Sequence, residues 1–264
     1  MSIRDQAIIL GNEIVETAPQ IRGRYFENDL LKPVFAHYFK RGARWTSMPR
    51  PVMADRSFDL THARTKDPEH VPTDAELDDS DTGTGVEMMF DAAQCLRFGR
   101  DVLLNVATEH HALGARWLQR HLGDRFRLHV VHRLDSNHID TQILPLRPGT
   151  LLLRGPEVLA HLPEPLRRWD KIYAPEPDPA EFPDYGPDAL TLTSLYIDMN
   201  VLSLDEHTVI ANSQAPRLVK TLEAHGFTVI PVRHRHRRLF AGGFHCFTLD
   251  TVREGSGPED YLSS

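Results

Sequence analysis

Residues 101–131 read DVLLNVATEHHALGARWLQRHLGDRFRLHVV, and three signals inside that stretch set the fold class. Asp101-Val102-Leu103-Leu104-Asn105-Val106 is an apolar run of strand length. A helix follows from about Glu109 to His121, with Leu113, Trp117 and Leu118 on its apolar face and Gly123 ending it. Arg127-Leu128-His129-Val130-Val131 is strand again. Strand, helix and strand at this spacing mark an α/β chain.

The pattern extends in both directions. Upstream, Ala7-Ile8-Ile9-Leu10 is a buried strand stopped by Gly11, and Asn12-Glu13-Ile14-Val15-Glu16 alternates as its hairpin partner. Between Arg24 and Gly42, Phe26, Leu30, Leu31, Val34, Phe35 and Tyr38 recur at helical spacing, which predicts an amphipathic helix divided or kinked at Pro33. Downstream, Thr150-Leu151-Leu152-Leu153 is a strand after the Pro148-Gly149 turn. Leu192 to Leu202 reads as strand, Pro216 to His225 as helix, and Thr228-Val229-Ile230-Pro231-Val232 as strand. The same order returns without repeated wording, so the chain reads as modular. Pro49 and Pro51 break regular structure ahead of Met53-Ala54-Asp55. The acidic stretch from Thr61 to Gly85 is predicted to be a mobile loop, solvated or acting as a lid. Met88-Met89-Phe90 restarts ordered structure.

Composition narrows the function classes. The chain has 264 residues, 41% hydrophobic and 25% charged, as in ordinary soluble globular proteins. That length suits one large domain or two small ones, and residues 1–264 are read as a single domain. A net charge of -7, from 30 basic and 37 acidic residues, argues against a nucleic-acid partner. No apolar run reaches bilayer-spanning length, so no membrane partner is expected. The N-terminus has the shape of neither a signal nor a transit peptide. With two cysteines and no secretory segment, a reducing, cytoplasmic setting is the expectation.

Few residues present themselves for chemistry. Cys246 follows the glycine pair in Gly242-Gly243-Phe244-His245-Cys246. It is either a small buried core residue or a nucleophile presented at an unusual backbone angle. Cys95 is read as structural, on an apolar helix face. His138 and Asp140 lie two apart in Asn137-His138-Ile139-Asp140. In extended chain they would share a face, as general base and cation holder, or simply form a polar pair at a loop edge. Asp91, opening Asp91-Ala92-Ala93, suits a helix N-cap or a buried carboxylate that orients a histidine. The densest histidine clusters, His110-His111 and His234 to Arg238, lack ligand spacing, and the arginines in the second oppose a cation. No metal or other cofactor is expected. Gly242-Gly243 lacks the other features of a phosphate-binding loop.

Collected in order, these motifs resemble the arginine-dependent amidinotransferases. The matches include Arg4-Asp5, Gly11-Asn12-Glu13-Ile14, Gly42-Ala43-Arg44-Trp45, Ala54-Asp55, Phe90-Asp91-Ala92-Ala93, Leu96-Arg97-Phe98-Gly99, His138-Ile139-Asp140, Pro145-Leu146-Arg147-Pro148-Gly149, Met199-Asn200 and Gly242 to Cys246. The Leu96–Gly99 and Leu144–Gly149 wording leans towards a bacterial antibiotic-biosynthesis branch. The resemblance implies a pentein fold, a propeller of ββαβ modules, with most of the first module absent from this chain. An open ring of that kind would expose strand edges and favour self-association. It also implies that Cys246 is the nucleophile, His138 the general acid/base and Asp91 its carboxylate partner. Asp140 and Asp5 fall where the family holds the donor guanidinium, and Asp55, Thr193, Ser194, Met199, Asn200 and Arg154 complete the implied substrate-binding set. The implied partners are a small-molecule guanidino donor, an amine acceptor and a second copy of the chain. Glu157 stands where the family carries an arginine for the donor carboxylate. The same Cys-His-Asp core would also serve a guanidine-group hydrolase or deiminase. The absent module and Glu157 motivate a third reading, a non-catalytic homologue that binds a ligand or partner.

Overall fold

Turn chemistry sets the frame of each sheet. The computed structural model describes residues 2–53, 86–135, 138–179, 182, 194–235, 240, 242–253 and 260–262. They form four three-stranded sheets, each an antiparallel hairpin followed by a strand parallel to the hairpin's second member. Gly99 and Gly149 close two of the hairpins at φ of +61° and +81°, a region in which an L side chain is strained. Elsewhere Asp205 turns the chain with its own carboxylate, which accepts the His207 and Thr208 N–H groups at 2.7 Å each.

The described residues group into two compact units, one comprising Ile3–His138 with Asp250–Tyr261, the other built mainly of Ile139–Leu249. The first unit holds two modules. In one, β1 (Ala7–Ile9) pairs with β2 (Glu13–Glu16), and α1 (Lys32–Phe39) leads to β3 (Arg44–Ser47). In the next, β4 (Cys95–Phe98) pairs with β5 (Asp101–Val106), and α2 (Glu109–Leu122) crosses over to β6 (Arg127–His132). The second unit repeats the order. There β7 (Ile143–Arg147), β8 (Thr150–Leu153), the short α3 (Glu164–Arg167) and β9 (Asp170–Tyr173) precede β10 (Leu202–Ser203), β11 (Thr208–Asn212), α4 (Pro216–Ala224) and β12 (Thr228–Val232). The α/β, ββαβ reading therefore holds. No helix among the described residues is long and apolar enough to cross a membrane.

Packing in the first unit fixes the approach of its polar site. Phe90, Leu104, Leu118 and Leu122 are fully buried in one cluster with Val15 and Val102. Gly114 of α2 lets the helix lie directly on Phe90, for a Cβ there would stand 2.7 Å from the Phe90 ring. The Phe90 amide bonds the Ala18 carbonyl at 3.0 Å, which anchors residue 91 beside residues 18–20. The second unit has its own cluster, including Leu152, Val201, Val209, Leu218 and Leu222.

Three expectations are corrected. The stretch from Arg24 to Gly42 is not an amphipathic helix divided or kinked at Pro33. Two 3-10 turns, Arg22–Arg24 and Glu27–Leu30, precede α1, which starts at Lys32 with Pro33 in its first turn. Proline suits that position because its missing N–H would have no helical partner there. Phe26 and Leu30 are consequently exposed, and Phe35 is the buried residue of α1. Secondly, Cys95 begins strand β4 and lies on no helix. Thirdly, Leu195–Met199 is 3-10 helix where a strand was expected, and β10 covers only Leu202–Ser203. The 61–85 segment lies outside the described residues.

The helix correction can be checked by denaturation. Leu118→Ala, at a fully buried site, should cost roughly 2–5 kcal/mol of unfolding free energy. Leu30→Ala, at a site 68% exposed, should stay within about 0.5 kcal/mol of the parent in urea.

Candidate active site

Two polar clusters carry the functional side chains, one in each unit. The first is organised by Asp91, which has no solvent exposure. It stands at the N-terminus of the 3-10 turn Ala92–Gln94, where the Gln94 side-chain oxygen accepts the Asp91 N–H at 2.9 Å. Its carboxylate Oδ1 accepts the Gln20 N–H at 3.2 Å, and Oδ2 accepts His138 Nε2 at 2.8 Å. The cap and the histidine partner, alternatives in the sequence, are therefore both realised. Burial pushes the Asp91 carboxyl up, but the His138 hydrogen bond, the charges of His138 and Arg24 and the Gln20 amide hold it below its ordinary value.

Behind Asp91 runs a chain of amides. Gln20 donates to Gln94 at 2.7 Å, and Gln94 donates to His111 Nδ1 at 3.0 Å. The Ala107 N–H also reaches His111 Nδ1, at 3.2 Å. With Nδ1 accepting, the imidazole hydrogen is on Nε2, which faces the Gln20 carbonyl oxygen. Burial pushes the His111 imidazole down to about 3, so it stays a neutral, fixed tautomer. Asp5, 3% exposed in the Ile3–Asp5 turn, completes the cluster with Oδ1 at 3.8 Å from His138 Nδ1. Arg24 reaches both carboxylates, with Nη1 at 2.9 Å from Asp5 Oδ2 and 3.6 Å from Asp91 Oδ2. Asp5, Asp91 and His138 bring three potential ligand atoms within 4.8 Å of one another. The guanidinium already supplies the positive charge that this donor set attracts, so no metal is assigned to it.

The second cluster is organised by Asn200. Its Oδ1 accepts the Gly243 N–H at 3.0 Å and the Cys246 N–H at 2.9 Å, while its carbonyl accepts the His245 N–H at 3.2 Å. The Gly242–Cys246 loop is thus clamped on one side chain. Neither glycine has positive φ. Their role is close approach, since a Cβ on Gly243 would lie 2.6 Å from Asn200 Cβ and one on Gly242 would lie 3.1 Å from Cys246 Cβ. Cys246 is 2% exposed, and its thiol donates to Asp140 Oδ2 at 3.2 Å. His245 Nδ1 meets that same oxygen at 2.8 Å. One buried carboxylate oxygen therefore faces both a thiol and an imidazole.

No model of a protein family matches the chain. It is 37% identical over 261 residues to an L-arginine:L-lysine amidinotransferase of Pseudomonas savastanoi pv. phaseolicola, covering 98% of this chain and 68% of that protein. Inosamine-phosphate amidinotransferase 1 of Streptomyces glaucescens is 35% identical over 255 residues, covering 96% and 68%. Among solved structures, an amidinotransferase of saxitoxin biosynthesis from Microseira wollei superposes with a TM-score of 0.82 at 34% identity, covering 98% of this chain and 72% of that one. The chain belongs to the amidinotransferase family.

Within this member of the family, the expected site residues fall into distinct groups. Asp91, His138 and Asp5 meet in the first unit; Cys246, Asp140 and Asn200 meet in the second. His138 and Asp140 are not on a strand. Asp140 sits in a turn closed by bonds from the Gln142 and Ile143 amides to the Ile139 carbonyl, at 2.9 Å each. The period-two argument for a shared face therefore does not apply. Met199 is buried in the hydrophobic cluster of its unit. Ser194 caps the Leu195–Met199 turn through the Tyr196 amide, and Arg154 stacks over the Tyr196 ring at 4.4 Å. The Glu157 carboxylate folds back over Gly155, where a Cβ would strike it. Asp55 and Thr193 lie outside the described residues. An open groove of about 330 Å³ in the second unit is lined by Tyr196, Asp198, Met199 and Arg217, and contains neither Cys246 nor Asp140.

Sequence reasoning missed Arg24, the Gln20–Gln94–His111 chain and the part played by His245. Arg24 and Glu27, three apart, read as an ordinary helix-surface pair. His245 had a usable signal in its place next to the cysteine.

Two outcomes follow. Asn200→Ala strands two buried N–H groups and should cost about 2–4 kcal/mol of unfolding free energy, read from urea titrations. Ionised Asp91 contributes stability in full above its unfolded value of about 3.9, and that contribution fades as pH falls through the lower native value. The stability difference between the parent and Asp91→Asn should therefore shrink between pH 5 and pH 2, measured by urea midpoints at each pH.

Proposed function

We propose that this chain moves an amidino group from arginine, or a related guanidino donor, to an amine through an amidino-cysteine on Cys246. The observation that carries the reading is the pairing of the Cys246 thiol with the buried Asp140 carboxylate, 3.2 Å apart. A carboxylate beside a thiol keeps the sulfur protonated until a cation arrives. A planar guanidinium is the cation that suits a carboxylate, through two charge-assisted hydrogen bonds. On this reading the donor neutralises Asp140, the thiol loses its proton to solvent, and the thiolate attacks the central guanidinium carbon.

His138 supplies the proton transfers. A carboxylate only accepts hydrogen bonds, so Nε2 carries the hydrogen shared with Asp91, and exchange with substrate falls to Nδ1. Breaking the C–N bond requires a proton on the departing amine, which imidazolium His138 delivers. From arginine that amine is ornithine. The acceptor amine then attacks the amidino carbon, gives a proton to His138 and releases the Cys246 thiolate, which regains a proton from solvent as the guanidino product leaves. The cycle balances without an external oxidant or reductant and predicts ping-pong kinetics.

An exposed acidic side chain at position 157 disfavours the carboxylate of a free amino acid, so a donor masked at that end fits the reading as well as arginine does. A propeller arrangement of the modules and a place in a biosynthetic pathway belong to the same proposal.

The test is arginine turnover with and without a panel of amines. Ornithine released only when an amine is present supports transfer, whereas citrulline, or urea without any amine, supports a hydrolase or deiminase. With donor alone, intact mass should rise by one amidino group, and Cys246→Ser should abolish both the adduct and at least a ~10⁴-fold share of turnover. A chain that forms no adduct with any guanidino donor would be the non-catalytic homologue.

A further inference from the structure

The acid–base cluster contains one more charge than a His–carboxylate pair needs. His138 has a carboxylate oxygen at each ring nitrogen, with Asp91 Oδ2 at 2.8 Å from Nε2 and Asp5 Oδ1 at 3.8 Å from Nδ1. Two buried anions against one imidazole favour its protonated form strongly. A general acid/base must lose its proton as readily as it gains one. Left to these two carboxylates, His138 would be held as a permanent cation.

Arg24 changes that balance. Its Nη1 stands 2.9 Å from Asp5 Oδ2 and 3.6 Å from Asp91 Oδ2, so one guanidinium nitrogen faces both anions. The rest of the fork is locked from behind. Nε and Nη2 donate to Glu27 Oε2 at 3.0 Å and 2.9 Å, and Gln6 Nε2 donates to the same oxygen at 2.9 Å. A single Arg24 conformation is thereby fixed against the carboxylates. Among the described residues, other titratable groups facing the cluster include Glu27, which is paired with Arg24, and His111, which burial keeps neutral.

We propose that Arg24 is a positioning residue that balances Asp5 and Asp91 so that His138 can release its proton, and that holds the two carboxylates in their places beside the imidazole. The inference rests on His138 as the acid/base of the transfer reading, but it concerns a property of the resting protein. It can therefore be tested without substrate and without turnover.

The experiment is an NMR titration of the His138 ring in protein labelled at histidine carbon, with the resonance assigned by its loss in His138→Gln. Arg24→Gln should raise the pH midpoint of His138 by about one unit or more. Arg24→Lys keeps the charge without the planar fork, and should return the midpoint at least halfway to that of the parent. Where turnover is measurable, the acid-side fall of kcat/KM for the acceptor amine, whose attack needs neutral His138, should move to higher pH in Arg24→Gln. Should Arg24→Gln alone not fold, the substitution is placed in an Asp5→Asn background, which removes one charge of each sign. There the double variant should titrate at higher pH than Asp5→Asn alone. A His138 midpoint unchanged by Arg24→Gln in a folded protein, in either background, overturns the proposal. A normal shift in a protein that transfers no amidino group would leave Arg24's role intact and refute the transfer reading alone.

Discussion

An ionised carboxylate with no access to water is a costly feature of the first unit, and much around Asp91 is arranged to offset that cost. Removing such a group from water costs several kcal/mol after relaxation. Asp91 recovers this through the Gln20 amide, the His138 imidazole and the nearby Arg24 guanidinium. Each of these needs its own support. Gln20 is held by Gln94 and His111, Arg24 by Glu27, which Gln6 holds in turn, and the backbone at residue 91 by the Phe90–Ala18 bond. The glycine at position 114, which brings α2 onto Phe90, belongs to the same arrangement at one remove.

Much of the fold was legible because periodicity and turn residues act locally. β5, β8 and β12 occupy the residues expected of them, and α2 and α4 end within a residue of the expected positions. The failures have a common physical cause. Residues 22–39 carry helical spacing, yet Pro33 starts a helix instead of dividing one, and the preceding apolar residues are left in short turns. Spacing says which side chains would align if the backbone were helical, not whether it is. Leu195–Met199 failed in the same way, because apolar content alone does not choose between an extended and a coiled backbone.

The site was legible through its reactive atoms and illegible through its supports. Cys246, His138, Asp91 and Asp140 stand out by residue type, and the order of motifs raised them further. Arg24 does not stand out, because an arginine three residues before a glutamate looks the same in sequence whether it faces solvent or two buried aspartates. Asn200 could be named but not explained. The fold shows that its amide oxygen is the shared acceptor for the Gly242–Cys246 loop, which Gly243 lets approach closely.

The hydrogen bond from Cys246 to Asp140 also bears on how the resting protein ages. Peroxide oxidises thiolates far faster than thiols, and the first product, a sulfenic acid, leads on to irreversible forms. The Cys246 sulfur donates its proton to a buried carboxylate, so in that contact it is a thiol and not a thiolate. Cys95 is protected differently, by burial that pushes its thiol up. The two cysteines are thus shielded in separate ways, Cys246 by a proton engaged with a carboxylate and Cys95 by burial.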